Sequence, residues 1–185
     1  MNPLTEHVDP AFDFGLDIHI HASEDDAGVL NRFNACFFIY DDDQTVGRLT
    51  GWIGWRVLDE DLADAADEIS ADSSHIGYVA AQLLKDQDDS WIEDVVLLDR
   101  VWIAPEFRQR GLLGELIDRL IRELRLHIDD CFVVTEPEPQ QESGGPYPDG
   151  PQRDKAMNGL LRSLSNAGFA AWKDSVVFWR RAERP

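Results

Sequence analysis

The residues best placed to do chemistry lie between Asp99 and Leu120, in the run DRVWIAPEFRQRGLLGELIDRL. An apolar stretch reads there as a buried strand that ends at Pro105. Arg108, Gln109, Arg110, Gly111, Leu112, Leu113 and Gly114 then lead straight into a helical stripe of Leu113, Leu116, Ile117, Leu120, Ile121 and Leu124. Such a junction is a natural anion seat. The N–H groups of a helix's first turn have no intrahelical partner, the macrodipole adds partial positive charge, and glycine lets a pyrophosphate approach the backbone. Arg108 and Arg110 add full charges at the same turn. The plainer alternative is an ordinary strand-to-helix connection.

On that strand, strict alternation puts Asp99 on one face with Leu97, Val101 and Ile103, and Arg100 on the other. Apolar surroundings raise a carboxyl's affinity for protons and call for a partner. Asp99 is therefore a functional acid-base group or half of a structural ion pair, and Arg100 is not the expected partner. Glu93 and Asp94, at the strand's entrance, are the next carboxylates in line. His19 and His21 share a face of an earlier strand, but no third ligand stands at a fixed spacing, so no metal is expected. Cys36 and Cys131 sit in apolar strand contexts that suit packing, and neither belongs to a CxxC pair. Tyr147 is the exposed-loop aromatic, either closing over a substrate or simply part of a Pro-flanked turn.

The elements that must position these residues follow from periodicity. Leu16 to Ala22 alternates as a half-buried strand, and Ser23 to Asp26 reads as a helix start with Val29, Leu30 and Phe33 behind it. Asn34 to Tyr40, a polar turn at Asp41 to Gln44, and Thr45 to Val57 read as a hairpin. Within 61–86, Leu62, Ala66 and Ile69, a break at Ser70 to Ser74, then Ile76, Val79, Ala80, Leu83 and Leu84 predict a helical pair. Val95 to Ile103 is the central strand, interrupted only by Asp99 and Arg100. Cys131 to Thr135 is a short strand, 136–152 a long Pro- and Gly-rich loop, and Arg153 to Ala167 a helix stopped by Gly168. Two strands flank Lys173 and Asp174. The order is mixed α/β.

The chain has 185 residues, 43% of them hydrophobic, no visible repeat and no linker, so a single domain spanning 1–185 is expected. Seventeen basic against thirty-six acidic side chains give a net charge of −19, which argues against nucleic acid as a partner. Asp outnumbers Glu 24 to 12, and Lys85, Lys155 and Lys173 stand beside 14 arginines, a profile that suits high salt, an acidic mesophile or the attraction of a cationic substrate. The longest apolar runs are too short to span a bilayer, and Met1 to Pro10 has no basic region followed by an apolar stretch. A soluble cytoplasmic protein with no membrane partner is expected. A homodimer is left open.

The turn Arg108-Gln109-Arg110-Gly111-Leu112-Leu113 resembles the acetyl-CoA signature of the GNAT superfamily of N-acetyltransferases, Arg/Gln-x-x-Gly-x-Gly/Ala between the fourth strand and the next helix. Ile103 to Phe107, IAPEF, looks like that family's Val-x-Pro-x-Tyr approach, and Ser165 to Phe169, SNAGF, like its later Gly-Phe step. The resemblance runs from about the hairpin to the C-terminus. It implies a GNAT-like α/β fold, a mostly antiparallel twisted sheet flanked by helices and splayed between strands four and five. It also implies transfer of an acetyl group from acetyl-CoA to a primary amine on a small molecule or peptide, and the acidic balance points to a cationic acceptor. The backbone of Val101, Trp102 and Ile103 would receive the acyl and pantetheine portion, Arg108 to Gly114 the pyrophosphate, and Asp99 would act as base or amine ligand. Leu113 stands where the family prefers Gly or Ala, and Gly114 comes one residue late. Leu164 stands in place of the family's tyrosine acid, and one short helix in place of two between the first strands. A noncatalytic acyl-CoA-binding or interaction module, and transfer of a longer acyl group, are the alternatives.

Overall fold

The computed structural model describes residues 14–22, 28–40, 44–86, 93–126, 131–141 and 143–182. Its elements run β1 (Phe14–Ile20), β2 (Asn31–Ile39), β3 (Gln44–Val57), α1 (Asp59–Ile69), α2 (Ala71–Lys85), β4 (Glu93–Ile103), α3 (Leu112–Glu123), β5 (Cys131–Thr135), α4 (Pro151–Asn166), β6 (Ala170–Ala171) and β7 (Phe178–Arg181). The strands form one seven-stranded sheet in the order β1-β2-β3-β4-β5-β7-β6. Every neighbouring pair is antiparallel except β4 with β5. That parallel step needs a crossover, and the amphipathic α3 supplies it.

Alternation along the strands sends side chains to two apolar layers. Phe33, Ala35 and Phe37 of β2, Leu49 and Ile53 of β3, and Val96 and Leu98 of β4 pack with the buried stripe of α3 and with Leu164 of α4. On the opposite face Trp52, Val95, Leu97, Phe132 and Val134 pack with Leu62 and Ala66 of α1 and Val79, Ala80 and Leu83 of α2. The helical pair thus covers only one side of the sheet, α3 and α4 the other. Ser70 both ends α1, with extended dihedrals, and caps α2 by accepting from the Ser73 N–H at 3.1 Å. The break is this one residue; Ser73 lies inside α2, its buried hydroxyl donating to the Ala66 carbonyl at 2.9 Å.

One expected element is corrected. The helix from Ser23 has its start outside the described residues, but its apolar end is strand: Phe33 belongs to β2, where it is buried in alternation with Ala35 and Phe37. A short stripe of apolar residues fits either period, and pairing with β1 and β3 decides it. The turn residues Asp41 to Asp43 also lie outside the described residues. No described helix is long and apolar enough to cross a membrane.

Candidate functional site

The site is built around the point where β4 loses a neighbour. The parallel ladder with β5 runs from Asp94↔Cys131 to Leu98↔Thr135 and stops, while β4 continues against β3 as far as Gly47↔Ile103. Asp99 to Ile103 therefore have no strand partner on their β5 side. Half of a strand's backbone groups face each neighbour, so half of those in this stretch face the gap, the Ile103 carbonyl accepting from Arg108 Nε at 2.8 Å.

Just there, β4 carries an extra residue. Its register against β3 jumps from Thr50↔Arg100 to Gly51↔Leu98, leaving Asp99 as the added residue of a β-bulge. A Cβ on Gly51 would lie 2.0 Å from the Leu97 carbonyl oxygen, so only glycine fits opposite the bulge. The bulge overturns the simple alternation. Leu97 belongs to the layer under α1 and α2, whereas Val101 and Ile103 pack on the α3 side, so Asp99 does not share one face with all three. Asp99 and Arg100 both stand opposite Thr50 and emerge together, and Arg100 Nε sits 3.3 Å from Asp99 Oδ2. The excluded neighbour is the partner. Arg100 also donates to Gln140 Oε1 at 3.4 Å, tying β4 to the loop that leaves β5. That loop is folded: Gln140 bridges Pro146, Gln141 donates to the Pro146 carbonyl, and Glu136 at its base bonds His75 of α2 at 2.7 Å. Tyr147 in this loop is half-buried.

Beyond Ile103 a single 3-10 turn, Pro105–Phe107, plants Phe107 in the core, and the next four residues are exposed. Gln109 and Gly111 both adopt positive φ, 63° and 74°, a left-handed conformation that is costly for a glutamine. Gly111 is the N-cap of α3 and supplies no side chain to satisfy the first-turn N–H groups. Arg110 lies over the Phe107 ring, 5.3 Å from its centroid, and Arg108 folds back so that its Nε donates to the Ile103 carbonyl at 2.8 Å. Leu112 and Leu113 are buried in the core, so the residue that departs from Gly or Ala at position 113 points away from the turn. Gly114 faces Ala167 at the end of α4, with room for ordinary contact, and serves helix packing. Val101, Trp102 and Ile103 are half-buried. The Trp102 Nε1 is buried with no hydrogen-bond partner among the described residues, and the Arg48 guanidinium lies 5.7 Å from its ring.

Other candidates resolve differently. Asp94 is buried and accepts from the Arg56 N–H at 2.9 Å, a tie across an irregularity in β3. Glu93 opens β4, and its side chain is outside the description. His19 bonds Asp17 on the same strand at 3.3 Å. Cys36 is half-buried, and Cys131 is buried beneath α3. Leu164 is buried in the same layer. Sequence reasoning missed Arg180, which donates to Asp118 in the middle of α3 and to the Ala167 carbonyl at 3.0 Å, tying α3 to the end of α4. It also missed Gly51, Arg48 and Gln140, whose roles depend on cross-strand register and loop path.

No family model, curated protein or solved structure matches the chain.

Proposed function

We propose that the chain is an acetyl-CoA-dependent N-acetyltransferase of GNAT-like fold. The observation that carries this reading is the conjunction at the end of β4: a strand parting from its parallel neighbour after Leu98, followed by an uncapped helix start at a left-handed Gly111. The residues present fit the donor. First-turn N–H groups with Arg108 and Arg110 suit a pyrophosphate, and the edge of Val101, Trp102 and Ile103 suits the amide-bearing arm. Gln109, Leu112 and Leu113 contribute through backbone, and Gly114 lies where α3 faces the end of α4.

Acetyl-CoA, when bound, supplies a thioester whose carbonyl carbon accepts an amine nitrogen as the carbon–sulfur bond breaks. An acceptor bound as its ammonium would give up two protons on the way to the amide, the first to Asp99 and the second to water, and the departing thiolate would gain one from water. A thiol is far more acidic than water, so the thiolate leaves without a dedicated acid, and a leucine at 164 is compatible with turnover. The chain's own task is to position and desolvate. Asp99, one quarter exposed at the bulge, lies where it can hold the acceptor's ammonium and take its proton. A noncatalytic acyl-CoA-binding module is the second reading, favoured by the burial of Leu164.

Thiol release from acetyl-CoA with a broad panel of primary amines tests the proposal. Acceptor-dependent release with an acetylated product supports it. Acetyl-CoA binding with no release for any amine supports the noncatalytic module.

A further inference from the structure

Resting on that reading, we infer that the acceptor is a free α-amino acid, seated on the sheet face beside the bulge. The helical pair α1–α2 packs over Trp52, Val95 and Leu97, and no other described helix packs over the β1–β4 rows beyond them on that face. Two rows follow from the register: Asp17, Cys36, Arg48 and Trp102, then His19, Asn34, Thr50 and Arg100. Arg48 and Arg100 are thus diagonal neighbours on adjacent strands, within reach of one small anion. In a chain with 36 acidic and 17 basic residues, the surface default is an acidic neighbour for each arginine. Arg48 is exposed and its contact is the Trp102 ring. The Trp102 ring beneath Arg48 is half-buried and packs against the core, its Nε1 turned away from solvent.

Two exposed guanidinium groups call for a carboxylate. Asp99 beside Arg100, at 3.3 Å, adds the opposite charge at the spacing an ammonium next to a carboxylate requires. The pair complements a zwitterionic head group, with the amine on Asp99 at the gap where β5 departs and the carboxylate on Arg100 and Arg48. The net charge of −19 favours a cation at long range, but contact charges decide the bound species.

The test compares matched acceptors: phenylalanine with phenethylamine, leucine with 3-methylbutylamine, lysine with cadaverine. The amino acid of each pair is expected to be the better substrate by about tenfold or more in kcat/KM. Arg48→Gln raises KM for the amino acid about tenfold, leaves KM for the decarboxylated amine within twofold, and leaves acetyl-CoA binding by calorimetry unchanged. Equal or better use of the decarboxylated amines by the unaltered protein overturns the inference. If acetyl-CoA does not bind at all, the transferase reading fails separately. Calorimetry of phenylalanine against phenethylamine on the protein alone then decides the seat: a carboxylate preference lost in Arg48→Gln upholds it, and no preference overturns it.

Discussion

Leu113 and Leu164 are where side-chain identity departs from an acetyl-CoA site, and both point into one apolar layer. Their burial separates their effects. Leu113 leaves the turn's backbone open, while Leu164 puts an apolar side chain at a buried position where the family carries a hydroxyl. Leu164→Tyr therefore forces a larger, polar side chain into a packed core; we expect a loss of about 1–3 kcal/mol in urea denaturation and no gain in thiol release. Asp99 carries the opposite expectation. Asp99→Asn keeps shape and removes the proton acceptor, so turnover falls about 100-fold while acetyl-CoA affinity holds. Unchanged turnover and an unchanged pH profile would remove Asp99 from the chemistry. The sequence pointed to Asp99 but mispaired it, because strict alternation assumes a regular strand, and the bulge brings Arg100 to the same side.

At the scale of elements, the bulge is the device that sets the site. It re-aims Asp99 and Arg100, and it depends on a glycine in the facing strand. Gly51→Ala places a methyl against the Leu97 carbonyl, and β3 or β4 must shift. We expect destabilisation of about 2 kcal/mol or more by chemical denaturation, with acceptor KM affected more than acetyl-CoA binding. Loss confined to acetyl-CoA binding would contradict the assigned layout. Most elements were legible because their periods are long and clean: the stripe of α3, the helical pair, and β2, β3 and β4. The turn Arg108 to Gly114 was legible for the same reason, since it falls where period 2 becomes period 3.6. Phe33 was misread because three apolar residues in five positions suit both periods. Gly51, Arg48, Gln140 and Arg180 were illegible because each acts through a partner distant in sequence, reached only through register or a loop path.

Across the whole molecule, two helical layers cover unequal parts of the sheet. Among the described residues α3 and α4 pack on one face, and α1 and α2 pack on part of the other. The proposed donor site lies at the start of α3 and the proposed acceptor face on the opposite side of β4, so on this proposal the two substrates would meet at the gap beside Asp99 from different directions. The acidic surface keeps phosphates away except where local donors outweigh it, which makes binding of an anionic donor a sharp test of the turn. The most direct measurement is thermal unfolding titrated with acetyl-CoA, free CoA and ATP, at low and high salt. The account predicts a rise of roughly 5 °C or more at a hundredfold excess over Kd for acetyl-CoA and CoA, no comparable rise for ATP, and a reduced rise in Arg110→Glu. A cooperatively folded protein that shows no shift with acetyl-CoA, or an equal shift with ATP, would contradict it.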